Sequence, residues 1–212
     1  MSAALLERRM FTIPELRIST EENEGKKISG HAAVFNRLSD SLGWFREKVR
    51  PGAFTKTLQK QADVRLLINH DGLPLARTKS GTLLLREDNE GLFFEAAVDE
   101  SDPDVQRVIP KMQRGDLDQM SVGFYVVEDK WELSEAKERI RTLIEVDLFD
   151  VSLVTYPAYP QTSANVRSVK DVYDSYLASQ RALEEADKIA ESQLRAQAAA
   201  RQRHLDLLKK LI

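Results

Sequence analysis

The last 52 residues of the chain, from Gln161 to Ile212, contain neither glycine nor proline, whereas the preceding 160 hold all nine glycines and all seven prolines. Those two residue types interrupt helices more strongly than any others, so the chain obeys two folding regimes. The Ala-, Gln-, Leu-, Glu-, Lys- and Arg-rich end is expected to be a long helix from Asp171 to about Leu211. Along it Val172, Tyr176, Ser179, Leu183, Ala186 and Ala190 recur at alternating spacings of four and three, which places one thin apolar seam on one side. At 1.5 Å per residue such a helix reaches on the order of 60 Å. A helix of that length with so narrow a seam suits a partner-binding arm.

Before about residue 165 the pattern is different, with short alternating stretches punctuated by Gly, Pro, Asp and Asn. Strands are expected in FTIPELRIS from Phe11, KISGHAAVFN from Lys27, GWFREKVR from Gly43, DVRLLIN from Asp63, GTLLLRED from Gly81 and GLFFEAAVD from Gly91. Two more follow, in QMSVGFYVVED from Gln119 and RIRTLIEVDLFDVSLVTY from Arg139. EDNEG between Leu85 and Leu92 predicts a hairpin turn. Short helices are expected near Gly52 to Lys60 and from Ser101 or Asp102 to Gly115, the second carrying an awkward Pro110. The expected fold is α+β and mainly β: a closed or nearly closed antiparallel barrel with short helices outside it, followed by the long C-terminal helix. The expected division is 1–165 for the barrel and 166–212 for the arm.

Composition narrows the chemistry. The chain is long enough for one domain of ordinary size plus an appendage, and its net charge is only -3 with 31% charged residues. Proteins built to neutralise phosphates carry a clear basic excess, which argues against nucleic acid as the main partner. With no cysteine, disulfides, thiolate metal sites and cysteine nucleophiles are excluded. No apolar run approaches the length of a membrane span, and MSAALLERRM does not resemble a secretory signal, so a cytosolic product is expected. No cofactor is expected, and His70 with Asp71 lacks an HExxH or comparable metal-ligand set.

Three histidines make a census possible. His204 sits in the Arg- and Gln-rich tail as a solvated helix position, and His31 alternates with the apolar residues of GHAAVF as a structural or surface strand residue. His70 ends the apolar run VRLLI and falls in NHDG, where a strand gives way to a turn and side chains face clefts. In QMSVGFYV, alternation puts Met120, Val122, Phe124 and Val126 on one face. Ser121, Gly123 and Tyr125 then lie on the other, with Ser121 accessible and Gly123 leaving room for a substrate backbone. A serine hydroxyl needs a base, and the base needs a group to hold its tautomer. IEVDLFDVSLV offers three carboxylates for that role. Asp150, among Leu148, Phe149, Val151 and Leu153, is favoured over the more solvent-facing Asp147, with Glu145 third.

These residues resemble the phage prohead maturation proteases of the HK97-like type. The likeness runs through most of residues 11–167: GHAAVFN, VRPGAFTKTL, VRLLINHD, MSVGF and LFDVSLVTYPAYPQTSA occur in that order. It implies a serine endopeptidase with its histidine at His70, its serine at Ser121 and its acidic position at Asp150. It also implies a fold similar to the herpesvirus assemblins, closed barrels ringed by helices. Their third catalytic member is a histidine, and with only His31 and His204 left over, such a triad does not suit this chain. The implied substrates are scaffold, the N-terminal arm of the major capsid protein and the protease itself, inside a procapsid in the host cytoplasm. The loop Tyr156 to Thr162 is a candidate source of oxyanion donors. A noncatalytic assembly protein with a β head and coiled-coil arm accounts for the composition equally well, but not for the paired histidine and serine.

Overall fold

The computed structural model describes residues 5–12, 16–21, 25–155 and 163–209. Among the described residues ten strands and three helices follow in order: β1 Leu6–Thr12, β2 Arg17–Glu21, β3 Gly25–Val34, β4 Arg46–Val49, α1 Thr55–Gln59, β5 Arg65–Ile68 and β6 Asp71–Arg77. Then come β7 Leu83–Glu87, β8 Gly91–Val98, α2 Pro103–Arg114, β9 Gln119–Leu133, β10 Arg139–Val154 and α3 Ser163–Lys209. The chain divides into two compact units, Met1–Ser168 and Val169–Ile212.

The fold is mostly β, but the expected closed barrel is not what forms. One sheet of six strands runs β1-β9-β10-β5-β6, with β4 also paired to β10, and a second of four strands runs β2-β3-β8-β7. Both are open, and an isolated bridge between Phe35 and Val49 links the end of β3 to β4. Nor is the pairing purely antiparallel, because β4 and β5 both lie parallel to β10. The reason is the length of β10. Its 16 residues outrun any single neighbour on that side, so β4 pairs with Ile140–Leu143 and β5 with Asp150–Leu153. Between them α1 fills the gap: Val146 N–H donates to the Ala53 carbonyl, and the Thr57 hydroxyl donates to the Val146 carbonyl and accepts from Leu148 N–H. Every backbone group on that stretch needs such a partner once buried.

The hairpin expected around EDNEG forms as β7–β8. Asp102 caps α2, accepting from Asp104 N–H at 2.8 Å, and Gly115 ends it at φ 77°. Pro110 is retained within that helix. β6 escapes sequence reading because Gly72 and Pro74 look like a turn, yet β6 pairs only with β5 at a sheet edge, where proline is tolerated. The single strand expected from Phe11 is instead two, β1 and β2, in different sheets. Pro14, which has no N–H for a ladder, lies between them in sequence. The long helix begins at Ser163 rather than Asp171.

Alternating side chains of both sheets share one core: Ile28, Leu92, Phe94 and Ala96 from the smaller sheet meet Leu66, Val122, Phe124 and Val151 from the larger. Each such large side chain contributes about 1.5–3 kcal/mol on burial. The edge strand β1 is fixed beside β9 by buried charges. Arg141 Nη2 reaches Glu7 at 3.0 Å, Arg141 Nη1 reaches Glu47 at 3.0 Å, and Arg9 Nε reaches Glu47 at 2.6 Å. Burial works to raise the Glu7 carboxyl, but Arg9 and Arg141 outweigh it and hold it below the usual carboxylate range. Nothing in the sequence pattern announces this network. Arg141→Ala leaves Glu7 and Glu47 short of a partner and is expected to cost about 3–5 kcal/mol in chemical denaturation. A loss below about 1 kcal/mol would show that the network does not hold the strand.

Candidate active site

β9 delivers the serine. Met120, Val122 and Phe124 enter the core as alternation requires, so Ser121 and Gly123 take the opposite face. Antiparallel pairing with β10 sets Ser121 opposite Ser152 and Gly123 opposite Asp150. Simple alternation along β10 fails at this point. It would put Asp150 on the face of Val146 and Leu148, but the register shifts between Leu148 and Asp150, and Phe149 is the extra residue. Before the bulge Val146 and Leu148 face the core; after it Val151 and Leu153 do. Asp150 and Ser152 are thereby turned to the face that carries Ser121, and Phe149 is left 45% exposed.

His70 comes from a tight turn between β5 and β6. Ile68 pairs with Asp71 across the two-residue turn Asn69-His70, and both turn residues have positive φ, 52° and 60°. This is the backbone of the primed hairpin turns, for which asparagine at the first position and glycine at the second are usual. A histidine in the glycine position costs about 1–2 kcal/mol. The surrounding structure holds it there. Asn69 N–H donates to the Leu153 carbonyl at 2.8 Å, and Asn69 Oδ1 accepts from Thr155 N–H at 3.0 Å and the Thr155 hydroxyl at 2.9 Å. His70 N–H donates to Ser152 Oγ at 3.2 Å.

The result is a continuous chain of hydrogen bonds. His70 Nε2 lies 2.7 Å from Ser121 Oγ, and His70 Nδ1 lies 2.5 Å from Asp150 Oδ1. Ser152 Oγ donates to the same Asp150 oxygen at 2.9 Å. With Asp150 ionised, Nδ1 carries the proton and Nε2 presents its lone pair to the serine hydroxyl. The cost of burying the Asp150 carboxylate is offset by the imidazole and the Ser152 hydroxyl. Asp147 and Glu145 are elsewhere: Lys60 Nζ is 3.4 Å from Asp147, and Lys56 Nζ is 2.5 Å from Glu145. His31 is also remote in its contacts, with Nε2 2.9 Å from Asp88 and its ring edge-on to Phe93. The side chain of His204 and the loop Tyr156 to Thr162 lie outside the described residues.

Two expectations are corrected. Ser121 is on the expected face but only 1% exposed, so its hydroxyl is not the accessible one that alternation suggests. Gly123 does not leave space for substrate. A Cβ there would stand 2.7 Å from Asp150 Oδ2 and 3.2 Å from its Cγ, so the missing side chain is what lets the carboxylate lie across β9 towards His70. Gly123→Ala should therefore displace Asp150 and lower kcat by about 10²-fold, the scale of a 1 Å misplacement. Wild-type kcat in Gly123→Ala, measured on any cleaved peptide, would remove that role. Ser152 is the residue that sequence reading passed over. Its signal was present, two places along the strand from Asp150 and hence on the same face.

Residues 14–175 match the family model described as Caudovirus prohead serine protease. The prohead protease of Enterobacteria phage HK97 is 30% identical over 165 residues, which cover 76% of this chain and 68% of that protein. Among solved structures, the bacteriophage T4 capsid assembly protease is similar over 70% of this chain and 96% of its own, at 13% identity and a TM-score of 0.41. A family match across most of the chain, with a relative at 30% identity, establishes that this protein belongs to the Caudovirus prohead serine protease family.

Proposed function

We propose that Ser121 is the nucleophile of this serine endopeptidase, His70 its general base and Asp150 the group that holds the imidazole. The observation that carries this reading is the unbroken line from Ser121 Oγ through both ring nitrogens of His70 to Asp150 Oδ1. In the acylation step Ser121 Oγ bonds to the scissile carbonyl carbon while its proton passes to His70 Nε2. The tetrahedral intermediate collapses as that proton goes to the departing amine, leaving an acyl-serine. Water, deprotonated by the same nitrogen, then releases the acid and restores the hydroxyl. Asp150 stays ionised and stabilises the transient imidazolium. Ser152, bonded to both Asp150 and the His70 backbone, fixes the angle between them.

The substrates in this reading are scaffold segments, the N-terminal arm of the major capsid protein and the protease itself, cut inside a procapsid that assembles in the host cytoplasm. In the same reading residues 1–165 carry the chemistry, and 166–212 form an arm that engages scaffold and is open to self-cleavage. Among the described residues no helix is long and apolar enough to cross a membrane. The test is co-expression with the major capsid protein. Wild type is expected to shorten the capsid protein on a gel and His70→Ala to leave it whole; shortening by His70→Ala would refute the assignment of the base. A chain ending at Arg167 is expected to cut a peptide at the wild-type rate yet be depleted from proheads.

A further inference from the structure

Beyond its first turns α3 is solvent-exposed on every side from Ala178 to Ala198, yet it carries large apolar residues, with Leu183 60% and Leu194 68% exposed. Most helical stability in proteins comes from packing an apolar face, so a helix with exposed leucines normally lays them on a partner. The order of residues along one side is unusual. Leu183, Asp187, Ala190, Leu194, Ala198, Arg201 and Leu205 follow one another at spacings of 4, 3, 4, 4, 3 and 4, a palindrome centred on Leu194. At about 100° per residue, those from 183 to 201 lie within roughly 40° of Leu194 around the axis.

The chemistry is palindromic as well, except at the one place where complementarity requires a difference. Reflection about Leu194 exchanges Leu183 with Leu205 and Ala190 with Ala198, and it exchanges Asp187 with Arg201. A two-fold axis through Leu194 therefore sets each Asp187 against an Arg201 of the other copy, leucine against leucine, and alanine against alanine where the helices approach. Parallel pairing in register would set Asp187 on Asp187 and Arg201 on Arg201, which is repulsive at both levels.

We propose that α3 pairs with α3 of a second copy of this chain, antiparallel, about a two-fold axis at Leu194. The seam is thin, so association is weak in dilute solution and becomes extensive where copies are concentrated. The pairing is argued without the catalytic assignments, which enter only through the Ser121→Ala background of its test, where the size of the chain on the gel shows that the arm is attached; its failure would leave them untouched.

The chain has no cysteine, so single cysteines report the geometry directly. In full-length protein carrying Ser121→Ala, so that the arm stays attached, Leu194→Cys and Leu183→Cys are oxidised and run on a non-reducing gel. Leu194→Cys is expected to form a disulfide dimer and Leu183→Cys at least ten times less. In the antiparallel pair the two 183 positions stand about 33 Å apart, whereas a disulfide needs Cα atoms within about 7 Å. Equal crosslinking at both sites would mean a parallel pair, and none at either site would mean no self-pairing; each overturns the proposal. A charge exchange adds an independent readout. Asp187→Arg should reduce the Leu194→Cys crosslink several-fold, and adding Arg201→Asp to the same chain should restore it. Failure of that restoration also overturns the proposal.

Discussion

Ser121→Ala is expected to lower kcat for peptide cleavage by on the order of 10⁴- to 10⁶-fold, the range found when the nucleophile of a triad is removed. The fold should survive. The hydroxyl makes one hydrogen bond to the ring, to His70 Nε2, and a bond of that kind contributes about 1 kcal/mol. For a chain of this size that corresponds to a shift in Tm of roughly 2–4 °C. Loss of cleavage with a melting curve shifted by no more than that would separate chemistry from folding. Retained cleavage would mean that another group attacks the carbonyl.

Asp150→Asn is the second large effect and the more specific. The side chain keeps its shape, but an amide set to donate to Nδ1 stabilises the tautomer with the proton on Nε2. That nitrogen then has no lone pair with which to accept the serine proton. The expected loss in kcat is about 10⁴-fold. Asp147→Asn, at an exposed carboxylate 3.4 Å from Lys60, should stay within about threefold of wild type, since a surface ion pair contributes little. Equal losses in the two variants would contradict the placement of Asp150 against His70. Ser152→Ala should fall between them, because His70 and Gly123 still define where the carboxylate lies.

How much of this could be read from the sequence depended on range. Features set within a few residues were legible: the α2 cap at Asp102, the β7–β8 hairpin, the core face of β9 and the long Gly- and Pro-depleted helix. His70 emerged because so few histidines compete and because NHDG marks a strand end. Features that depend on a neighbour strand were not. The bulge at Phe149 reverses the face of everything after it: Asp150 was legible from its apolar neighbours, whereas strict alternation sets it on the face of Val146 and Leu148. The role of Gly123 depends on the register with β10, and a glycine in a strand gives no hint of which side chain occupies its space. The closed barrel failed for a related reason. Strand count and alternation do not reveal that β10 is long enough to accept two parallel partners with α1 between them.

The Glu7, Arg9, Glu47 and Arg141 cluster was equally hidden, since its members are separated by up to 134 residues and each would pass alone for a surface charge. It bears on the site through position. β1 lies along β9 with Met10 opposite Ser121, so the charges that hold β1 also shape the flank of Ser121.

If Ser121, His70 and Asp150 act as one unit, labelling with a fluorophosphonate followed by peptide mapping reports on all three at once. The reagent reacts far faster with a serine whose proton is being withdrawn than with an ordinary hydroxyl. The adduct is expected on Ser121 alone, at a rate that falls by at least about 10²-fold in His70→Ala and in Asp150→Asn but not in Asp147→Asn. An adduct on a different serine, or labelling of Ser121 that is indifferent to His70 and Asp150, would contradict their acting as one unit.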